Sequence, residues 1–266
     1  MKKHGLTIAG NWKMNHAPVE TRKFFESLTS LVEKENPAQR KQIREQIASK
    51  RLQLSVFPPA VSFEAGQEGT RNLDKVEALH LQIGSQNTHW EKAGAFTGEV
   101  SGPILKELGI AHSLVGHSER RQFYGETNET AKKRADSLLD QGFSVIFCVG
   151  ETRAEREAGD TQDVIAKQLR EGLPAPRGNL IVAYEPVWAI GTGLNATAEQ
   201  AEEVHQYIRG VLPKDTPILY GGSVNDANVA SLLACPNVDG VLVGGASLKP
   251  ESYWKLVLAA SKLLLV

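Results

Sequence analysis

One alternation constrains this chain more than any other feature, and it runs from end to end. Short β-type runs are separated by longer stretches with helical periodicity. The runs fall at 6–10, 52–57, 79–84, 113–115, 144–149, 179–184, 218–220 and 240–243. Several are continuously apolar, as strands buried on both faces of a parallel sheet must be. Between them, 130–139, 198–211, 225–234 and 251–265 read as helices. Asn128 stands before the first of these. Thr197 with Gln200 forms a capping box ahead of the second. Eight β-then-α units of roughly 33 residues match the ~250-residue size of a closed (β/α)8 barrel. A doubly wound open sheet is the rival, but it would carry G-x-G-x-x-G after its first strand, where this chain reads "GNWKMN". The expectation is one α/β domain over 1–266, a closed barrel. One segment breaks the rhythm: after Asn36-Pro37, an N-cap and first-turn pair, Ile43 and Ile47 share a helical face, giving a separate short amphipathic helix near 37–49 packed on the outside.

Charge and composition narrow the function. Thirty basic residues stand against 31 acidic ones, net charge -1, with no basic stripe, so nucleic acid is not an expected partner. No apolar run nears the roughly 18 residues of a membrane span. The start, "MKKHGLTIAGNWK", lacks a signal-peptide core. Cys148 and Cys235 lie far apart and read as reduced thiols, which points to the cytoplasm.

In a barrel of this kind the C-terminal strand ends converge on one mouth. The residues just beyond each run therefore make up the candidate site: Asn11 and Lys13; Gln86 and Asn87; His117, Ser118 and Glu119; Cys148, Gly150 and Glu151; Glu185; Gly221, Gly222 and Ser223; Gly244 and Gly245. The paired glycines either make tight turns or bring backbone N–H groups to an anion, and two such pairs after adjacent strands favour a phosphate cradle. Metal-ligand spacing is missing: His112 and His117 are five apart, and there is no H-E-x-x-H. A Gly-x-Ser-x-Gly nucleophile turn is missing too. A carboxylate, an imidazole and an ammonium aimed at a small phosphorylated molecule suit proton abstraction beside a carbonyl.

The longest signal is "AYEPVWAIGTG", 183–193. With "GNWKMN" (10–15), "GAFTGEVS" (94–101), "VGHSERR" (115–121), "FCVGET" (147–152), "YGGSV" (220–224) and "LVGGASL" (242–248), it resembles the triosephosphate isomerase family, in order and over essentially the whole chain. The resemblance implies a TIM barrel that interconverts dihydroxyacetone phosphate and D-glyceraldehyde 3-phosphate through an enediolate, without cofactor or metal. It implies Glu185 as the base and His117 as a neutral electrophile, the helix after it favouring the uncharged ring. Lys13 supplies positive charge, Asn11 positions it, and Glu119 helps hold it. Gly191, Ser223, Gly244 and Gly245, with Asn11 and Lys13, would bind substrate phosphate.

Further expectations come from the same likeness. Pro186, Val187, Trp188, Ala189, Ile190, Gly191, Thr192 and Gly193 would form a closing lid, with Pro186 a stiff hinge and Trp188 a packing anchor. The loop bearing Phe96 and Thr97 would reach into a second copy, implying a homodimer. On the residues themselves, Arg120 and Arg121 read as an ion-pair element, with Glu126 one partner, rather than a phosphate clamp, and Cys148, with no base beside it, as packing. Leu194-Asn195 departs from the family's second hinge. A catalytically silent barrel would need a broken site, and another sugar-phosphate isomerase would need a larger pocket.

Overall fold

The computed structural model describes residues 5–175, 177–189 and 196–265. Its strands are β1 Leu6–Asn11, β2 Leu52–Phe57, β3 Gln82–Ile83, β4 His112–Val115, β5 Ser144–Val149, β6 Leu180–Tyr184, β7 Ile218–Tyr220 and β8 Gly240–Val243. All neighbours pair in parallel, in the order β3-β2-β1-β8-β7-β6-β5-β4. Ser85 closes the ring: its N–H donates to His112 O (2.9 Å), its carbonyl accepts from Leu114 N (2.8 Å), and it bridges Ser113. The sheet is thus a barrel, with β3 and β4 joined by a single bridge.

The helices are α1 Pro18–Lys34, α2 Pro37–Ala48, α3 Phe63–Glu77, α4 Gly102–Glu107, α5 Ser118–Phe123, α6 Asn128–Asp140, α7 Arg153–Ala158, α8 Thr161–Gly172, α9 Ala198–Val211, α10 Val229–Ala234 and α11 Pro250–Leu263. Strand parity decides which core each residue joins. Leu6, Ile8, Leu54 and Val56 face outward and pack with Phe24, Phe25, Leu73 and Val257 under the helices. Ala9, Phe57, Leu114, Ile146, Ile181, Leu219 and Leu242 face inward and fill the barrel. No helix among the described residues is long and apolar enough to cross a membrane.

Boundaries differ from the sequence reading where side chains compete for backbone. The third strand is two residues, not the six of 79–84: Ala78 ends α3 in the left-handed region, His80 also has φ 45°, and Asp74 accepts the His80 N–H (2.6 Å). Thr127, not Asn128, caps α6, in a reciprocal box with Thr130. Asn225 does not start a helix; its side chain takes the N–H groups of Ala227 and Asn228, and α10 begins at Val229. The capping box at Thr197 and Gln200 is present.

Helix α2 is docked by polar contacts as much as by Ile43. Asn36 accepts from Ala38 N (2.9 Å) at its start. Arg40 and Arg44 both bind the buried Glu77 carboxylate at the end of α3. Gln46 exchanges hydrogen bonds with Ser261 of α11, donating to its carbonyl (3.0 Å) and accepting from its hydroxyl (2.7 Å).

Candidate active site

Asn11, the last residue of β1, and Lys13 enter the mouth on either side of Trp12, which is fully buried and donates its indole N–H to Ser247 O (3.1 Å). Lys13 has φ 52°, a left-handed conformation that costs a non-glycine residue about 1–3 kcal/mol. Three bonds hold it there. Asn11 Oδ1 accepts its N–H (3.0 Å), and the Gln86 amide donates both to its carbonyl and to Phe57 O (2.8 Å each). Its ammonium then reaches Glu119 Oε1 at 2.6 Å.

His117 ends the turn after β4 and caps α5. Its Nδ1 accepts the backbone N–H of Glu119 (3.2 Å), so that nitrogen is unprotonated and the ring proton belongs on Nε2. The Glu119 carboxylate, 3.8 Å from Nδ1, is too far to compete. Nε2 points at Glu185 Oε1, 3.0 Å away, and Oε2 of the same carboxylate accepts the Ser118 N–H at 2.8 Å. Glu185 is 2% exposed. A buried carboxylate survives without a cationic partner because two donors satisfy it.

Across the mouth, Gly221, Gly222, Ser223, Gly244 and Gly245 line a cavity of about 400 Å³ with Asn11, Lys13, His117 and Glu185. Gly222 is glycine of necessity: a methyl there would lie 2.2 Å from the Tyr220 hydroxyl. Gly245, at the start of the single turn Gly245–Ser247, faces open space. The structure thus brings Asn11, Lys13, His117, Glu119, Glu185, Ser223, Gly244 and Gly245 to one mouth.

The lid segment is described through Ala189. Pro186 leads into a single turn, Val187–Ala189. Ile190, Gly191, Thr192 and Gly193, like Leu194 and Asn195, lie outside the described residues. The base of this segment hangs on Glu151, a residue noted at a strand end but given no role by sequence reasoning. Its Oε1 accepts from Trp188 Nε1 (2.9 Å) and Tyr184 OH (3.0 Å), and its carbonyl accepts from Val187 N (3.1 Å). Burial raises its carboxyl above the ordinary range against these hydrogen bonds. The usable signal was a carboxylate directly after Gly150 at a strand end.

Arg120 pairs with Glu126 (2.9 Å); Arg121 instead donates to Gly116 O (2.8 Å) and Asn128 (2.7 Å), and neither lies among the groups lining the 400 Å³ cavity. Cys148 is fully buried behind the site. Desolvation, with the Glu185 charge adding to it, pushes its thiol well above the usual value, which keeps it inert. Thr97 is exposed, and the ring of Phe96, 43% exposed, lies against His89.

Comparison with known proteins agrees with this arrangement. The family model described as triosephosphate isomerase matches residues 6–260. The triosephosphate isomerase of Solibacter usitatus is 42% identical over 262 residues, covering 94% of this chain and 97% of its own. That of Synechococcus sp. (strain JA-3-3Ab) is 42% identical over 254 residues, covering 95% and 94%, and that of Moorella thermoacetica 42% over 261, covering 94% and 96%. A barrel with these groups at its mouth, matched along nearly its whole length, belongs to the triosephosphate isomerase family and interconverts the two triose phosphates.

Proposed function

We propose that Glu185 is the base that carries a proton between the adjacent carbons of a triose phosphate, through an enediolate. The supporting observation is the Glu185–His117 pair. In the described state the carboxylate accepts from His117 Nε2 and Ser118 N, so both of its oxygens are occupied. To reach substrate it must leave them. Leaving frees the His117 Nε2–H to donate to the substrate oxygen, so one movement arms both groups. Lys13, held by Asn11, Gln86 and Glu119, adds charge stabilisation at the developing oxyanion. Backbone N–H groups after β7 and β8, with Ser223, receive the phosphate, and Gly191 adds a donor when the lid shuts. No step requires a cofactor or metal. Glu185→Gln should lower kcat by about 10²–10⁴-fold, the worth of a positioned base, with KM nearly unchanged. A variant within tenfold of the parent would remove Glu185 from the role.

We also propose a homodimer. A second cavity, about 790 Å³, opens beside the site between Lys13, Gln86, Glu119 and Tyr124. Met14 at its edge is 95% exposed. The loop with Phe96 and Thr97 is a protrusion suited to fill that hollow on a second copy, in a self-complementary two-fold contact. Sedimentation of the parent and of Thr97→Arg tests this: a dimer that dissociates in the variant fits, and a monomeric parent does not. Two free cysteines, Cys148 and Cys235, support placement in the reducing cytoplasm.

A further inference from the structure

The opposite end of the barrel has a hollow of its own. Inward-facing strand positions continue below the apolar layer, and there they turn polar. Thr7 lies two residues below Ala9, His112 below Leu114, and Ser144 below Ile146. These residues, with Gln53, Gln82 and Asn179, open into a cavity of about 680 Å³ whose floor is Ile146 and Ile181. Helix α2, the segment that breaks the sequence rhythm, builds one wall with Ile47 and Ala48, and Lys50 stands just beyond it.

The lining has a one-sided chemistry. It contains Lys50, His80 and His112, three glutamine or asparagine amides, and no aspartate or glutamate. Among the described residues Lys50 has no ion-pair partner, and the His112 ring has no hydrogen-bond partner. Asp74 is already paired with His80 at 3.2 Å. Three of the last four carbonyls of α2 are already taken. Glu45, Gln46 and Ile47 have their oxygens taken by Ser49 N, Arg51 N and Lys50 N. Burial holds His112 below its usual value, leaving a neutral ring whose N–H and lone pair both seek partners.

We propose that this N-terminal mouth, walled by α2, is a second ligand site that takes a small organic anion, a carboxylate or phosphate ester. The anionic head lies between Lys50 and His112, and the apolar body rests on Ile146 and Ile181. The ordinary role of this face in such barrels is stability. A concave, acid-free lining with an uncommitted lysine and an unpartnered imidazole goes beyond that role.

The test is NMR of the histidine ring signals of the full-length protein, with His112 assigned through His112→Gln. Succinate and phenyl phosphate are titrated separately, with succinamide as the uncharged control. The expected result is a saturable His112 shift with one or both anions, near the ~1 mM affinity a fragment-sized ligand can reach. Lys50→Ala should weaken it about fivefold, the upper end for one solvated ion pair, and leave isomerase turnover unchanged. Whichever anion binds identifies the head group. The proposal is overturned if His112 stays unmoved by both anions to about 50 mM, far above that affinity. It is equally overturned if succinamide acts like succinate, or if Lys50→Ala binds as the parent does.

Discussion

Adding one methyl group at Gly150 should disarm Glu185, the proposed base, without altering its side chain. Gly150 lies just past β5, and a Cβ built there would lie 1.8 Å from the Glu185 carbonyl oxygen and 2.7 Å from its carbonyl carbon. Carbon–oxygen contacts settle near 3.3 Å, so the methyl needs about 1.5 Å of relief. Its surroundings resist on both sides. The Gln168 amide clamps Gly150, accepting its N–H (2.8 Å) and donating to its carbonyl (2.9 Å). Glu185 N is bonded to Val149 O (2.7 Å), and Gly221 N to Tyr184 O (2.7 Å). Part of the relief must therefore come from the Glu185 backbone and reach its carboxylate. A 1 Å misplacement of a reacting group costs about 10²-fold. Gly150→Ala should lower kcat by about that factor while KM stays near the parent's, because the glycines after β7 and β8 are undisturbed.

Overpacking itself should cost about 1–3 kcal/mol, a fall of about 2–10 °C in Tm for a chain of this size. The control is Gly210→Ala. Gly210 lies in α9 with open space where a Cβ would go, so alanine should keep full activity and stabilise by up to about 1 kcal/mol. Steady-state kinetics with glyceraldehyde 3-phosphate and thermal unfolding of both variants decide it. If folded Gly150→Ala turns over within threefold of the parent, the close approach of Gly150 to Glu185 does not position the base.

Buried polar groups supply three further tests. Glu77→Ala should strand Arg40 and Arg44 and cost about 2 kcal/mol, less than a fully buried pair because both arginines are partly solvated, which chemical unfolding would read. Trp188→Phe removes one of the hydrogen bonds on Glu151 and should change kcat about two- to tenfold, the worth of a single bond, with Tm nearly constant. His112 is held below its ordinary value of 6.5 by burial. The unfolded chain therefore binds more protons between that lowered value and 6.5. This stability contribution is complete above 6.5, falls as pH drops toward the lowered folded value, and is flat beneath it. Urea unfolding of His112→Gln against the parent across that window should show a shallower acid loss in the variant.

The barrel was legible in the chain because two periodicities report it independently. Continuous apolar runs, as several of the eight β-type runs are, need two buried faces, and eight runs separated by helical stretches leave few ways to provide those faces. The mouth was legible for a related reason: a polar residue directly after a run like Leu180–Tyr184 has only the strand end to occupy. Position along a strand predicts which end a residue joins; it does not predict what a side chain bonds once there. Glu151 shows the difference. It stands at a strand end like Glu185, yet Tyr184 and Trp188 turn it into an anchor, and those partners lie 33 and 37 residues away. His16 shows it again, with no chemistry to suggest itself in sequence but a left-handed backbone and a ring bonded to Leu248 O (3.0 Å), 232 residues on.

The same limit explains why the N-terminal mouth escaped notice. Residues just beyond each run sample only one end of a strand. Thr7, His112 and Ser144 sit at or near the start of theirs, where a polar residue looks like the tail of the preceding loop. Parity corrects this. Once Ala9, Leu114 and Ile146 are known to face inward, the residue two positions earlier must face inward as well, because side chains alternate along a strand. One register therefore fixes three layers together: the mouth with Asn11 and Glu185 above, the apolar fill between, and a polar layer below. The alternation that places Asn11 and Glu185 at one mouth also sends Thr7 and His112 to the other. The lining of the lower mouth then depends on what stands beside it, and in this chain one wall is α2, a helix that the (β/α)8 pattern does not require.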